Sequence, residues 1–252
     1  MTLSAQRKDL LLERLERDGR LVARDLAVEF GVSEDSIRRD LRELAAAGLV
    51  QRVYGGALPV SPALGDYAAR QTISPEGKAT VAAAAARLIR PGSTVILDGG
   101  TTTLAIAREL PPTLTATVVT HSATVAAALI DHPGIDIQLI GGRVFKHSAV
   151  AMGAEAAEAV ARVRADLCFL GVTGVHQDEG LTTGDADEAA MKRLLARRAA
   201  ETWVLATAEK VGAASNSVVL PLDEVAGVIT DAPVEHPTLD ALRLARVEVV
   251  VV

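Results

Sequence analysis

Beyond residue 73 the chain alternates between short apolar segments and amphipathic ones, which leaves few folds open to it. Segments rich in Val, Ile and Leu predict strands, and they cover residues 94–98, 116–120, 135–141, 166–172, 203–208, 225–231 and 247–252. Stretches with helical periodicity lie between them, near residues 76–90, 104–110, 123–131, 153–163, 185–201 and 238–245. Strands that alternate with helices pair in parallel and are covered by helices on both faces. The sequence therefore predicts a doubly wound α/β domain around a mostly parallel sheet.

The segment before this domain follows a purely helical pattern. Leu11 and Leu15 recur at helical spacing and predict a first helix. A short second helix is predicted over residues 23–30, since Gly31 can adopt the left-handed conformation that ends a helix. Ser33 has the hydroxyl that an N-cap requires, and it predicts the start of a third helix. Short helices joined by a tight glycine turn are typical of a helix-turn-helix.

The third helix has one apolar face and one basic face. Ile37, Leu41 and Leu44 follow the spacing of a buried stripe. The outward positions between them carry Arg38, Arg39 and Arg42. Arginines on an exposed helix face usually do no more than keep it solvated. Here they follow a helix-turn-helix, so we predict that they contact DNA bases and phosphates.

A β-hairpin is predicted directly after the third helix. Residues 49–54 have the composition of a strand, and Gly55-Gly56 supplies a turn. Such a hairpin is the wing of a winged helix, and its Arg52 and Tyr54 can reach phosphates or the minor groove. The complete set of predicted DNA-binding residues is Ser33, Ser36, Arg38, Arg39, Arg42, Arg52 and Tyr54.

The net charge of the chain does not exclude DNA as a partner. The chain carries a formal charge of −6, but residues 1–57 hold ten basic and ten acidic side chains, so the acidic excess lies in the remainder. A segment that is neutral by sum binds DNA by placing its arginines on one face. The partner predicted for this segment is double-stranded operator DNA.

Prolines separate the two patterns. Pro59 and Pro62 each remove a backbone donor and favour extended geometry in the residue before them, which suits a linker or an edge strand rather than a helix. We therefore predict a winged helix-turn-helix at residues 1–57, a linker at residues 58–72 and an α/β domain at residues 73–252.

Polar and glycine-rich residues follow several of the predicted strands, where ligands bind in a doubly wound sheet. The first strand is followed by Asp98-Gly99-Gly100-Thr101-Thr102-Thr103. The free N–H groups, hydroxyls and helix N-terminus of this loop can hold a phosphate, although such a sequence also serves as a simple turn that begins a helix. Further polar residues at the same edge are Thr120-His121-Ser122, Gly141-Gly142-Arg143, the helical pair Glu188 and Lys192, and Lys210.

Residues in both domains carry a resemblance to a known family. The helix-turn-helix Val32-Ser33-Glu34-Asp35-Ser36-Ile37-Arg38-Arg39-Asp40-Leu41 and the wing Arg52-Val53-Tyr54-Gly55-Gly56-Ala57 closely resemble those of DeoR-type transcriptional regulators. The strand-end residues, in their order along the chain, resemble the sugar-phosphate sensor domain of that family, whose fold is similar to ribose phosphate isomerase.

The resemblance implies a sequence-specific DNA-binding regulator. It further implies a repressor of carbohydrate metabolism genes that a phosphorylated sugar releases from DNA. The effector-binding residues that it implies are Asp98, Gly99, Gly100, Thr101, Thr102, Thr103, Thr120, His121, Ser122, Gly142, Arg143, Glu188, Lys192 and Lys210.

The alternative function is an enzyme, a sugar-phosphate isomerase fused to a DNA-binding module. Isomerisation needs a general base, and Asp185, Asp187 and Glu188 are candidates for it. The DNA-binding module would then have no role, so we predict that the protein is not an enzyme. A nucleotide-binding module is disfavoured because no Gly-x-Gly-x-x-Gly follows the first strand, and we predict no cofactor.

The remaining features concern metals, location and assembly. Cys168 lies in an apolar run that predicts a buried strand thiol, and the histidines lack metal-ligand spacing, so no structural metal is predicted. The N-terminus has no apolar signal segment and no run is long enough to span a bilayer, so we expect a cytoplasmic protein without a membrane partner. Helix-turn-helix proteins usually bind DNA as dimers, which predicts a homodimer or higher homo-oligomer.

Overall fold

The computed structural model describes residues 4–252, so the first three residues of the predicted 1–57 domain lie outside the described residues. The helices are α1 Ser4–Asp18, α2 Ala23–Phe30, α3 Glu34–Ala46, α4 Tyr67–Thr72, α5 Pro75–Ala86, α6 Thr101–Glu109, α7 Ala123–Leu129, α8 Ala154–Ala161, α9 Ala186–Ala196 and α10 Pro237–Leu244. The strands are β1 Leu21–Val22, β2 Gln51–Val53, β3 Gly56–Leu58, β4 Thr94–Leu97, β5 Ala116–Thr120, β6 Ile135–Leu139, β7 Arg143–Phe145, β8 Val150–Met152, β9 Ala165–Gly171, β10 Gly174–His176, β11 Gly180–Thr183, β12 Ala199–Ala206, β13 Ser217–Leu220, β14 Gly227–Thr230 and β15 Glu248–Val251.

Helices α1 to α3 pack around a small core of their own, as the apolar spacing predicts. Leu11, Ile37 and Leu41 are almost fully buried in it. The turn between α2 and α3 has Gly31 in the left-handed region at φ 62°, and the Ser33 Oγ accepts a hydrogen bond from the Ser36 N–H at 3.3 Å. The predicted helix-turn-helix is confirmed down to its cap and its turn.

The wing differs in detail from its prediction. Its turn is formed by Tyr54 and Gly55, whereas Gly56, predicted as part of the turn, belongs to β3. β3 also pairs with β1, a two-residue strand that the sequence did not predict. A side chain at Gly56 would lie 1.7 Å from the Leu21 carbonyl oxygen, so the glycine is what lets β1 approach.

A buried ion pair fixes α1 against α3. The Arg7 Nε donates to Asp40 Oδ2 at 2.5 Å, and the Asp40 side chain is fully buried. Ser4 Oγ donates to the other carboxylate oxygen at 3.1 Å. Removing one partner of such a pair leaves an uncompensated buried charge, so the pair helps to hold the orientation of α3.

The segment predicted as a linker has structure of its own. Val60 forms a bridge to Ala214, residues 62–64 form a 3-10 turn, and α4 covers residues 67–72 although no helix was predicted here. The prolines exclude a helix only around themselves, and Asp66 beyond them accepts from the Ala69 N–H and caps α4. The wing contacts the same region of the α/β domain, since the Gln51 Nε2 donates to the Asn216 Oδ1 at 2.7 Å.

The α/β domain is built on a seven-stranded parallel sheet with the order β15-β14-β12-β9-β4-β5-β6. Every strand pairing within this sheet is parallel. The chain starts at β4, builds outward through β5 and β6, and then returns to the other side of β4 with β9. The direction of winding therefore reverses between β4 and β9, and ligands bind at such a switch point.

Two smaller antiparallel sheets lie at the carboxyl edge of the parallel sheet. β7 and β8 form a hairpin, and β10, β11 and β13 form a three-stranded sheet that the sequence did not predict. The predicted helix over residues 185–201 was too long, because α9 ends at Ala196 and β12 begins at Ala199. Ala199 pairs with Ala165 on β9, so strand pairing takes over where helical spacing alone would continue.

Two apolar cores cover the two faces of the parallel sheet. Cys168 is fully buried in one of them, as predicted, and Trp203 lies in the other. No helix among the described residues is long and apolar enough to cross a membrane.

Candidate functional site

A cleft opens at the carboxyl ends of β4 and β9, at the switch point of the sheet. It encloses about 460 Å³ of space, its open mouth included. Its walls come from the loops after β4 and β9, from α9, and from the segment before α5. The lining residues are Ala63, Arg70, Ile73, Lys78, Gly99, Gly100, Thr101, Thr102, Thr103, Gly171, Val172, Thr173, Thr183, Glu188, Lys192, Glu209 and Lys210.

The loop after β4 presents the N-terminus of α6 to the cleft. Gly100 has φ 129°, a conformation that side chains rarely adopt, and a Cβ at Gly99 would lie 2.0 Å from Val150 Cγ1. Both glycines are therefore required by the backbone and its neighbours. No side chain caps the N-terminus of α6, and the Thr103 hydroxyl donates to the Gly100 carbonyl at 3.0 Å. The first N–H groups of α6 are thus directed at the cleft with the positive end of the helix dipole.

Asp98 lies beneath this loop and does not line the cleft. It is fully buried and accepts from His121 Nε2 at 3.0 Å, Lys192 Nζ at 2.7 Å and the Gly171 N–H at 2.9 Å. Burial opposes its ionisation, but the Lys192 ammonium and His121 hold the pKa of the Asp98 carboxyl well below its usual range. Both carboxylate oxygens of Asp98 already accept hydrogen bonds. Asp98 therefore holds Lys192 and the Gly171 backbone, which line the cleft, in position.

Glu188 and Lys192 form a second buried pair on α9. Lys192 Nζ lies 3.6 Å from Glu188 Oε1, and the Thr183 hydroxyl donates to Glu188 Oε2 at 2.9 Å. Burial acts against both charges, but Asp98 and Glu188 raise the pKa of Lys192. Lys192 and hydrogen bonds from Ser148 and Thr183 lower the pKa of Glu188, against the repulsion of Asp98. Both side chains are therefore charged at neutral pH.

Lys210 and Lys78 complete the basic lining, and their environments differ. The Lys78 ammonium donates to the carbonyl oxygens of Arg70 and Ile73. Lys210 is buried and has no salt bridge within 4 Å among residues 4–252. Burial and the neighbouring cations lower the pKa of Lys210 to about 8, while the Glu209 carboxylate acts in the opposite direction.

The cleft is cationic. Its basic lining residues are Arg70, Lys78, Lys192 and Lys210, whereas its acidic ones are Glu188 and Glu209. Positive charge in excess, an uncapped helix N-terminus and backbone N–H groups together favour an anionic ligand. Among residues 4–252, no group of three metal-ligating side chains is placed to hold an ion.

Six predicted effector-binding residues do not line the cleft, and the buried Asp98 is one of them. Thr120, His121 and Ser122 are buried behind it, where both ring nitrogens of His121 are engaged and Ser122 caps α7. Gly142 packs against Met152 and α8, and Arg143 lines a separate groove between α8 and α9. The β7–β8 hairpin places Gly142 and Arg143 next to α8 and α9, so these two residues do not reach the cleft.

The structure adds cleft residues that sequence reasoning missed. Arg70 and Lys78 lie before the first strand of the sheet, and Glu209 is next to the predicted Lys210. Gly171 ends β9 and Thr173 follows it; this glycine-rich strand end is recognisable in the sequence, although neither residue was among the predicted effector-binding residues. Arg70 gave none, because nothing in the local pattern of α4 shows that it packs against the cleft.

A second surface, on the N-terminal domain, combines α3 with the wing. Arg38, Arg39 and Arg42 are exposed on α3, and Tyr54 is fully exposed at the tip of the wing. Arg38, Arg52 and Tyr54 border one groove between the helix and the hairpin. Arg38 pairs with Glu34 Oε1 at 2.6 Å, and its pKa is raised mainly by that hydrogen bond. Ser33 and Ser36 bond to each other at 2.9 Å at the start of α3.

These two surfaces define a class of protein, a DNA-binding regulator whose winged helix is joined to an α/β domain with a cationic cleft. Comparison with known families agrees. The DeoR-like helix-turn-helix domain matches residues 7–63, and the DeoR C terminal sensor domain matches residues 73–232. The chain belongs to the DeoR family of transcription regulators.

Curated relatives match almost the whole chain. The HTH-type transcriptional regulator GlpR of Haloferax volcanii is 34% identical and covers 98% of both chains. The putative aga operon transcriptional repressor of Escherichia coli O157:H7 is 32% identical over 100% of this chain and 95% of its own. The glycerol-3-phosphate regulon repressor of Escherichia coli K12 is 30% identical over 90% of this chain and 91% of its own.

The solved structures that align with the chain are more distant. Ribose 5-phosphate isomerase A of Methanocaldococcus jannaschii aligns with 53% of each chain at a TM-score of 0.39 and 19% identity. The full-length sorbitol operon regulator SorC of Klebsiella pneumoniae covers 83% of this chain and 91% of its own at a TM-score of 0.35 and 12% identity.

Proposed function

We propose that this regulator is a cytoplasmic repressor of carbohydrate metabolism genes that releases its operator when a phosphorylated sugar binds the cleft. The observation that carries the proposal is the cationic cleft. The N-terminus of α6 opens into this cleft, and the buried Lys210 that lines it has no salt-bridge partner among the described residues. A phosphate dianion supplies the missing negative charge and the acceptors. The names of the relatives, among them a glycerol-3-phosphate regulon repressor, support the same class of effector.

Within the cleft, the phosphate is assigned to the loop from Gly99 to Thr103. This loop combines backbone N–H groups, the Thr101 and Thr102 hydroxyls and the N-terminus of α6. Lys192 and Lys210 supply charge beside it, and Asp98 keeps Lys192 in place. Glu188, whose Oε1 lies 3.6 Å from Lys192 Nζ, and Thr173 also line the cleft, and we assign them to the sugar hydroxyls.

A thermal-shift screen tests this assignment. Glycerol 3-phosphate, glucose 6-phosphate and fructose 1-phosphate are each compared with their unphosphorylated parent. Binding to the folded state at one hundred times the dissociation constant adds about 2.7 kcal/mol, which raises the melting temperature by roughly 5–10 °C for a domain of this size. The Thr102→Ala variant should reduce the shift. Equal shifts for every ester and its parent would contradict the phosphate assignment.

The DNA-binding surface is assigned to α3 and the wing. The outward arginines Arg38, Arg39 and Arg42 enter the major groove, with Arg52 and Tyr54 supporting from the hairpin. Replacing Arg39 by Ala should weaken binding by about 1–3 kcal/mol if it contacts a base, or reduce the salt slope by about one if it contacts a phosphate.

The DNA test uses sites selected from a random library by the full chain. Titrations at several salt concentrations compare Arg38→Ala, Arg39→Ala and Arg42→Ala with Arg90→Ala, an exposed arginine of the α/β domain. Arg90→Ala should bind like the wild type. Full affinity in all three α3 variants would refute the assignment.

Two recognition helices reach successive major grooves only when they lie about 34 Å apart. We therefore propose a homodimer or a higher homo-oligomer as the DNA-bound form. Sedimentation of the protein with and without a palindromic site measures the assembly, and a complex of one chain per site would contradict it.

An isomerase activity is not supported by the carboxylates considered for it. Asp185 accepts from the Glu188 N–H as the cap of α9, Asp187 lines the groove that contains Arg143, and Glu188 is paired with Lys192. A general base must reach a substrate proton, whereas Asp185 and Asp187 do not line the cleft and Glu188 is held in its ion pair with Lys192. An assay for interconversion of pentose and hexose phosphates should show no turnover.

The proposed domain division follows the cores. The N-terminal core ends at Ala57, and the cores of the sheet begin at Val81. We propose residues 1–57 as the DNA-binding domain, 58–72 as the connecting segment and 73–252 as the sensor. A fragment from residue 58 onward that gives no cooperative melting transition would contradict this division.

A further inference from the structure

Arg70 reaches the cleft from outside the sensor domain. It lies on α4, in the segment between the winged helix and the residues 73–232 that match the sensor family. Its side chain nevertheless lines the cleft together with the α6 loop and Lys210, and Ala63 of the same segment lines it too. The connecting segment therefore forms part of the wall of the site.

Neutral groups hold the guanidinium of Arg70 in place. Its Nη2 donates to the His147 carbonyl at 2.8 Å and lies 3.3 Å from the Ser148 hydroxyl. The group also lies over the Tyr67 ring, 5.8 Å from its centroid. Among residues 4–252, no carboxylate oxygen approaches its nitrogens within 4 Å. The positive charge is thus fixed in position without a direct ion pair among the described residues.

One donor of Arg70 has no acceptor. Its Nε is buried and has no hydrogen-bond partner among the described residues. The Lys78 ammonium donates to the Arg70 carbonyl, so the backbone from which the side chain extends is held as well. Buried polar atoms without a partner are rare, and each calls for an explanation such as a ligand.

We propose that Arg70 binds the phosphoryl group of the effector, so that the connecting segment becomes part of the occupied site. A guanidinium offers a planar fork of donors that matches phosphate oxygens, which a lysine ammonium cannot reproduce. The inference rests on the proposed function, because it takes the effector to be a phosphate ester.

A consequence for regulation follows from the position of α4. The segment joins β3 of the wing to the sensor domain, and Val60 within it pairs with Ala214. An effector held by Arg70 contacts this segment directly. Effector binding in the cleft can then change the position of the segment that joins the two domains by direct contact, without a conformational change in the parallel sheet.

The test compares the full-length wild type with Arg70→Gln, Arg70→Lys and Arg143→Gln by titration calorimetry. The probes are the three phosphate esters and their parent sugars used in the thermal-shift screen. Arg70→Gln should weaken ester binding about ten- to hundredfold and leave binding of the parents unchanged, since a hydrogen bond to a charged group is lost. Arg143→Gln, a matched control in a separate groove, should bind like the wild type.

The outcomes separate the two proposals. A wild type without preference for any ester refutes the proposed function itself. A selective wild type with an unchanged Arg70→Gln variant overturns the assignment of Arg70 alone, as does an equal loss for esters and parents. If Arg70→Gln lacks a folded melting transition, Arg70→Lys decides, because it keeps the charge without the fork and must still bind esters more weakly than the wild type.

Discussion

Replacing Lys210 by Met should stabilise the α/β domain and weaken effector binding at the same time. Lys210 is buried, has no salt bridge among the described residues, and its pKa is lowered to about 8 from 10.5. A lowering of about 2.5 units corresponds to roughly 3 kcal/mol against the charged form in the folded state. Met has a similar length without the charge, so the expected gain at pH 7 is about 1–3 kcal/mol.

The gain should depend on pH with a defined sign. Between pH 8 and 10.5 the unfolded chain binds the Lys210 proton and the folded chain does not, so the stability of the wild type rises with pH in that window. Below pH 8 both states carry the proton, and the full penalty is present. The difference between Lys210→Met and the wild type should therefore shrink from pH 7 to pH 9.5, to about 1 kcal/mol.

The single Trp203 makes the measurement specific to the α/β domain. It is buried in one of the two cores that cover the sheet, so its fluorescence in a denaturant titration follows that domain. Each kcal/mol of change in the free energy of unfolding also shifts the melting temperature by about 2–4 °C. The matched control is Lys78→Met, which leaves two carbonyl acceptors unpaired and should destabilise by about 1–3 kcal/mol. A Lys210→Met variant less stable than the wild type at pH 7 would refute the reasoning.

Three further predictions concern both domains. Asp40→Ala should destabilise the winged helix by about 3–5 kcal/mol and abolish DNA binding, with the Trp203 transition unchanged in the same sample, because it removes the buried carboxylate that accepts from Arg7 Nε and Ser4 Oγ. Glu34→Gln should strengthen DNA binding in titrations at low salt, because it removes a negative charge from the binding face and frees Arg38; weaker binding would contradict this. Affinity for the phosphate ester should fall by up to tenfold for each pH unit above about 8, as Lys210 loses its proton, and calorimetry that shows a constant affinity up to pH 9.5 would speak against its role.

Local features of the structure were predictable from the chain alone. The left-handed Gly31, the cap at Ser33 and the buried stripe of Ile37 and Leu41 each depend on residues a few positions apart. The parallel sheet was predictable for the same reason, since each strand and helix is recognisable from its own period. Errors arose where pairing with a distant strand overrode local preference, as at the start of β12.

The cleft was predictable only in part. The loop from Gly99 to Thr103 and the side chains of Lys192 and Lys210 follow strand ends or lie on one helix face, and the topology brings them together at the switch point. Arg143 also follows a strand, yet the β7–β8 hairpin carries it to another groove. A position at a strand end therefore identifies the correct edge of the sheet, but not the direction of the side chain.

The sequence by itself determined the two domains, the helix-turn-helix with its arginine face, and the glycine loop of the sensor, because short-range periods and turn residues encode them. Only the tertiary structure decided that the Asp98 carboxylate accepts hydrogen bonds from Lys192 and His121, and that Arg70 lines the site from the connecting segment. The hydrogen bonds of Asp98 join residues that are 23 and 94 positions apart along the chain. Arg70 brings a helix of the connecting segment to the edge of the sheet. Only the packing of the whole chain sets such distances, and with them the charge that the cleft presents to a ligand.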